Sequence, residues 1–160
     1  MPLASPEIQL PDTKVLLIVP PLAHLSWPSL GVHLLQAVAE AGGHSVGVLY
    51  ANLWFGARIG ALEYANLSNA PGDWLMGERL FAGPAFGRDG LALAAFEEEL
   101  AAHNQRTPNR ATRYLDHLSD ATGKQWAHWG TRYSLDELSG FAAAAQDLVS
   151  ELGEAIAAKG

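Results

Sequence analysis

A chain of 160 residues, 49% hydrophobic and 17% charged, has enough length for one substantial buried core and too little for two independent ones. Its formal net charge of −7 and pI near 5.2 argue against a nucleic-acid backbone or an anionic membrane surface as partner, because either calls for a basic face. With no cysteine, the chain by itself has no disulfides, thiolate metal sites, cysteine nucleophiles or iron–sulfur ligands.

Residues 1–13 hold three prolines in the first dozen positions and read as an extended arm. They lack the basic start and long apolar stretch of a secretion signal, and no apolar run approaches membrane-spanning length, so a cytoplasmic location is expected. Thr13 to Val19 follows as a strand. Val15-Leu-Leu-Ile-Val19 has no polar break, the pattern of a strand buried on both faces inside a parallel sheet. Pro20 and Pro21 stop it. A helix from about Ser29 to Ala41 carries Leu30, Leu34, Leu35 and Val38 on one face, with His33 and Gln36 on the opposite, solvated side. Gly42-Gly43 supplies a left-handed cap, and His44 to Tyr50 is a second strand laid parallel to the first by a right-handed crossover.

Ala51 to Leu67 reads as helical segments interrupted by Gly56 and Gly60, and Asn69 to Gly72 as a loop. A short helix over Asp73 to Leu80 leads into an aromatic, glycine-punctuated loop, Phe81 to Gly87. Helices are expected over Leu91 to His103 and Pro108 to Leu118, while Gly123 to Tyr133 fits either a strand or a helical turn. Ser134-Leu-Asp-Glu137 is a capping box that opens a final alanine-rich helix to Ala158, apart from Gly140 and Gly153. The fold class is therefore α/β: a partial, Rossmann-like parallel sheet with a large helical portion, forming a single domain over 14–160.

Strand, loop, helix is the opening of a nucleotide-binding-type unit, whose ligand meets the strand's carboxyl end. The loop from Pro20 to Gly31 lacks both Gly-x-Gly-x-x-Gly and a phosphate-loop lysine, so any ligand there is not held in the manner of a dinucleotide. His24 lies where a cofactor would be met and can in principle ligate a metal, but an ordinary hydrogen-bonded loop histidine is the commoner case. The six histidines form no His-x-x-x-His or His-x-His pair. Glu97, Glu98 and Glu99 are consecutive and read as a solvated helix face. Ser26 and Ser29 sit in no Gly-x-Ser-x-Gly elbow. Asn52 follows the second strand, where its amide either reaches a ligand across the sheet top or caps the next helix.

Pro20-Pro21, then Trp27-Pro28-Ser29-Leu30-Gly31 with Leu34-Leu35, then Gly43-His44, then Tyr50-Ala51-Asn52-Leu53-x-Phe55, continue in order. Ile59-Gly60, Tyr64, Gly77-Glu78-x-Leu80-Phe81-Ala82 and Ala85-Phe86-Gly87 complete the series. This succession, from Lys14 to Gly87, resembles the amino-terminal region of the cobalamin-dependent radical S-adenosylmethionine enzymes that mature ribosomally made peptides, chiefly as C-methyltransferases. The resemblance implies a Rossmann-like domain that carries cobalamin and presents a methyl group to a separate radical domain, with a peptide as substrate. It implies that Pro21, Ser29, Leu30 and Gly31 shape the loop beside the cofactor, and Tyr50, Ala51 and Asn52 the next loop. It assigns no catalytic residue. The Asp-x-His-x-x-Gly motif of histidine-ligated cobalamin proteins is absent, so it gives His24 no role as lower ligand.

Without the Cys-x-x-x-Cys-x-x-Cys motif, the iron–sulfur cluster and S-adenosylmethionine belong on a separate domain or partner. Only two strands of the cobalamin fold can be placed, which leaves an apolar first strand with an open edge. The expected chain is an amino-terminal piece or split subunit that docks on a radical partner. The alternative is a cofactor-free interaction or peptide-binding module stabilised by self-association.

Overall fold

The computed structural model describes residues 8, 10–70, 72–86, 96–106 and 133–159. They fall into two compact units, one within Met1–Ser68 and Ala144–Gly160, the other within Asn69–Ala143.

The first unit is built on β1 (Val15–Val19) and β2 (Val46–Tyr50), which pair in parallel with Val15 opposite Val46 and Val19 opposite Tyr50. Between them runs α1 (Leu30–Ala41). The mixed α/β class and the parallel pairing are as expected from the sequence. Thr13 donates to the Val15 carbonyl at 3.0 Å, so the strand proper begins two residues later than its propensity suggests. At the end of α1, the amide of His44 reaches the Ala39 carbonyl at 3.1 Å, while Gly43 takes φ +84°, the left-handed turn foreseen for the glycine pair.

One expectation for β1 does not hold. Its sequence predicts burial on both faces, yet Ile18 is 41% exposed and Val15, Leu16 and Leu17 are half-buried. Among the described residues the sheet has two strands, so β1 has one hydrogen-bonded neighbour and an open second edge. The arm does meet the sheet at β2. A Cβ on Gly47 would stand 2.3 Å from Pro11 Cγ, so Pro11 occupies the space a side chain would take.

After β2 the chain turns directly into α2 (Ala51–Ile59) and α3 (Ala61–Ser68). Gly60, at φ +91°, makes the break between them. Gly56 causes no interruption, against expectation. It stays helical because packing uses its missing side chain: a Cβ there would lie 3.2 Å from both Leu25 methyls and 3.3 Å from Tyr64. The core of this unit comprises Val19, Val46, Leu49, Phe55, Tyr64, Leu67 and, from the last helix, Ala145 and Leu148.

The second unit contains a 3-10 turn (Gly72–Trp74), α4 (Met76–Phe86), α5 (Glu97–Arg106) and the start of α6 (Leu135–Ala157). The residues expected as an aromatic loop from Phe81 are helical through Phe86. Pro84 falls in the last turn of α4, where the Leu80 carbonyl loses the bond an N–H at 84 would give it, and fully buried Leu80 anchors the preceding turn. Phe96 packs edge-on to Trp74 with ring centroids 5.1 Å apart, and the Arg79 guanidinium sits 4.5 Å above the Phe96 ring. Glu97, Glu98 and Glu99 are exposed, as their spacing requires.

The capping box forms as written. Ser134 Oγ accepts the Glu137 amide at 3.1 Å, and Glu137 Oε2 accepts the Ser134 amide at 2.8 Å. From there α6 passes unbroken through Gly140 and Gly153. The helix expected over Pro108 to Leu118, the segment from Gly123 to 132, and positions 91–95 and Gly87 lie outside the described residues. Among the described residues no helix is long and apolar enough to cross a membrane.

Candidate functional site

The loop from Pro20 to Ser29 leaves the carboxyl end of β1 and is tied down from two directions. It turns at once: the Ala23 amide bonds the Pro20 carbonyl at 3.3 Å, and Leu22 takes φ +67°, a left-handed conformation that a branched side chain adopts only under constraint. The constraint comes from beneath. Asn52, 3% exposed, donates its amide to the carbonyls of Ala23 at 3.5 Å and His24 at 3.4 Å. Tyr64, fully buried, donates its hydroxyl to the Ala23 carbonyl at 2.6 Å. Burial pushes the Tyr64 phenol up to about 12, which keeps it a hydrogen-bond donor throughout the physiological range.

Asn52 is therefore not the cap of α2 that its position allows. The residue preceding α2 is Tyr50, which makes no side-chain cap, and the Asn52 side chain points back 28 and 29 residues to the loop. Its Oδ1 is buried and has no hydrogen-bond partner among the described residues.

Above this base the loop carries a polar and aromatic rim. His24 and Trp27 stack with centroids 4.5 Å apart and planes 14° from parallel, and Ser26 Oγ lies 3.5 Å from His24 Nδ1. At the start of α1, Tyr50 and His33 share a 2.7 Å bond between Oη and Nε2. His33 is exposed on the side expected to be solvated, although it has Tyr50 as partner; Gln36 is half-buried and bonds Glu40 at 3.1 Å.

The seven positions singled out from the sequence thus divide. Pro21, Ser29 and Tyr50 are half-buried, Leu30 and Gly31 are exposed, and nothing lies within 4 Å of where a Gly31 Cβ would stand. Ala51 and Asn52 are buried, and the Asn52 amide is turned to the loop carbonyls. Tyr64, 41 residues from Ala23, is the site residue whose role the sequence concealed. It stood in the motif series, but no local pattern indicates what its hydroxyl holds.

Among the described residues, no three or more His, Cys, Asp or Glu side chains cluster to hold a metal ion. Nor do His24 and Ser26 meet a carboxylate that would complete a nucleophile–base arrangement. The site is one of surface and shape, an ordered loop with an apolar helix start beside it. Comparison with protein-family models, with curated proteins and with solved structures finds no match for this chain.

Proposed function

We propose that this chain is the cobalamin-binding-type portion of a radical S-adenosylmethionine enzyme system that C-methylates a ribosomally made peptide, with the cluster and S-adenosylmethionine on a separate domain or partner. The observation that supports it most is the loop after β1. It lies at the carboxyl end of a parallel strand, where open α/β sheets receive ligands, and the ordered motif series runs through it. In this reading the two strands are the start of a Rossmann-like sheet, and β1 offers its open edge to further strands.

The residues present fit a large corrinoid in one respect. Leu30 and Gly31 are exposed, with open space over Gly31, and Pro21, Ser29 and Tyr50 are half-buried; together they would receive a broad, mostly apolar face. Ala51 and Asn52 would act from beneath, Asn52 by holding Ala23 and His24 in place. A bound cobalamin would supply a transferable methyl group. This chain's own residues would bind and orient it and exclude water from one side.

Gel filtration with hydroxocobalamin tests the proposal. Visible corrinoid absorbance should co-elute with the protein, and a colourless protein peak would overturn it. The alternative, a cofactor-free module that self-associates or binds peptide, draws support from a different observation: the apolar stripe of α1 is uncovered.

A further inference from the structure

Pro20 to Ala23 form a type II β-turn. The Ala23 amide closes it on the Pro20 carbonyl at 3.3 Å, the Pro21 ring fixes φ at the first corner, and Leu22 takes the second corner at φ +67°. That second corner suits glycine or asparagine. A leucine there is disfavoured by roughly five- to thirtyfold against the right-handed region. The surroundings hold it in place. The Tyr64 hydroxyl donates to the Ala23 carbonyl at 2.6 Å and has the Leu22 N–H turned to its oxygen, while Asn52 donates to the Ala23 and His24 carbonyls.

We propose that the peptide between Pro21 and Leu22 is a two-state switch, latched by the Tyr64 hydroxyl and flipping into a type I turn when the latch is released. A flip of this one peptide converts the first turn type into the second and returns Leu22 to negative φ. It keeps the bond from the Ala23 amide to the Pro20 carbonyl, which both turns share. The far end stays anchored too, because Asn52 and Tyr64 hold the Ala23 carbonyl. Giving up the contact between the Leu22 N–H and Tyr64 costs a factor of about two to thirteen, the worth of an ordinary hydrogen bond, and relaxing Leu22 returns a factor of similar size. The two states therefore lie close in free energy. The N–H and C=O of the central peptide of a turn point to opposite sides, so with the Leu22 N–H directed at Tyr64 the Pro21 carbonyl is directed away from it. The flip exchanges them. On the side away from Tyr64 the loop offers an acceptor when latched and a donor when flipped, and a ligand oxygen there, whether carbonyl, carboxylate or phosphate, selects the flipped state.

The switch belongs to the loop whatever the loop binds, and it is tested without ligand, by a proton contact where the cofactor proposal is tested by colour. The Hα of Pro21 lies close to the Leu22 amide proton in a type II turn and far from it in type I. The nuclear Overhauser effect between them should be strong in the wild type and fall by about twofold or more in Tyr64→Phe, where the Leu22 N–H loses its acceptor. Adding Leu22→Gly to Tyr64→Phe should restore it, since glycine takes positive φ without steric cost. Mere loosening of the loop would not be reversed by glycine, which adds freedom. Leu22→Val, whose β-branch opposes the left-handed region, should weaken the effect with Tyr64 in place, and it carries the test if Tyr64→Phe does not fold. An effect of wild-type strength in either single variant overturns the proposal, as does a double variant in which glycine fails to restore it.

Discussion

The hydroxyl of Tyr64, on α3, donates to the carbonyl of Ala23 at 2.6 Å and so fastens the helical hairpin after β2 to the loop after β1. Asn52 reaches the same carbonyl from α2. Two side chains from consecutive helices thus fix one peptide group, and the loop's left-handed residue, Leu22, sits immediately before it.

Tyr64→Phe keeps the ring and its edge-on contact with Phe55 but removes the donor. The Ala23 carbonyl then depends on the longer Asn52 bond alone. Urea unfolding should show a loss of about 1–2 kcal/mol, and loop amides from Leu22 to His24 should exchange faster.

The raised phenol of Tyr64 carries a pH signature. A group whose folded pKa lies above its unfolded value contributes stability that is present below the unfolded value and lost as pH rises through the folded one. The window runs from 10 to about 12. Stability should fall across it, and Tyr64→Phe should remove that part of the alkaline decline when the two proteins are compared by denaturant titration.

Asn52→Ala should lower the melting temperature, corresponding to about 1–3 kcal/mol, because two loop carbonyls lose their buried donor. Asn52→Asp should be worse, since a buried carboxylate would face those carbonyls. Unchanged melting in both variants would contradict the tethering role.

Arg58, its side chain 8% exposed, makes a paired contact with Glu151 of α6, Nη1 to Oε1 at 3.0 Å and Nη2 to Oε2. The Arg58 hydrogen bonds hold the Glu151 carboxyl below its usual range. A depressed carboxylate contributes stability above its unfolded pKa and loses it as pH falls through the folded value. Glu151 is partly exposed and screened, so Glu151→Gln should cost only about 1 kcal/mol at neutral pH. It should also flatten the acid limb below the ordinary carboxylate range in pH-dependent melts.

Gly47→Ala should displace Pro11, whose ring occupies the Cβ position, and with it the 2.8 Å bond from Lys159 Nζ to the Pro11 carbonyl. A destabilisation of about 1–3 kcal/mol is expected by thermal melting. Limited proteolysis should cut the arm faster.

Much of the local architecture was legible. The β-branched runs marked both strands, the glycine pair marked the end of α1, Gly60 marked a break, and Ser134 with Glu137 announced α6, because each depends on neighbours within a few residues. The misreadings have a common cause. Gly56 and Gly83-Pro84 look like breakers in isolation, yet a close approach by Leu25 and Tyr64 keeps the first helical, and the second stays within α4 beside the buried Leu80. The meeting of the loop after β1 with the residues after β2 was legible, since both leave the same end of a parallel pair. The function of Asn52 was not, because its partners lie 28 and 29 residues away.

The order of apolar and turn-forming residues determined that a parallel β-α-β unit would form and that α1 would carry a greasy stripe. Only the tertiary structure decided which way that stripe faces and how far β1 is covered. Periodicity establishes that residues share a side of a helix, but which side is buried depends on what else the chain brings to it. Here Val32, Gln36 and Ala39 face inward and Leu34 and Val38 do not.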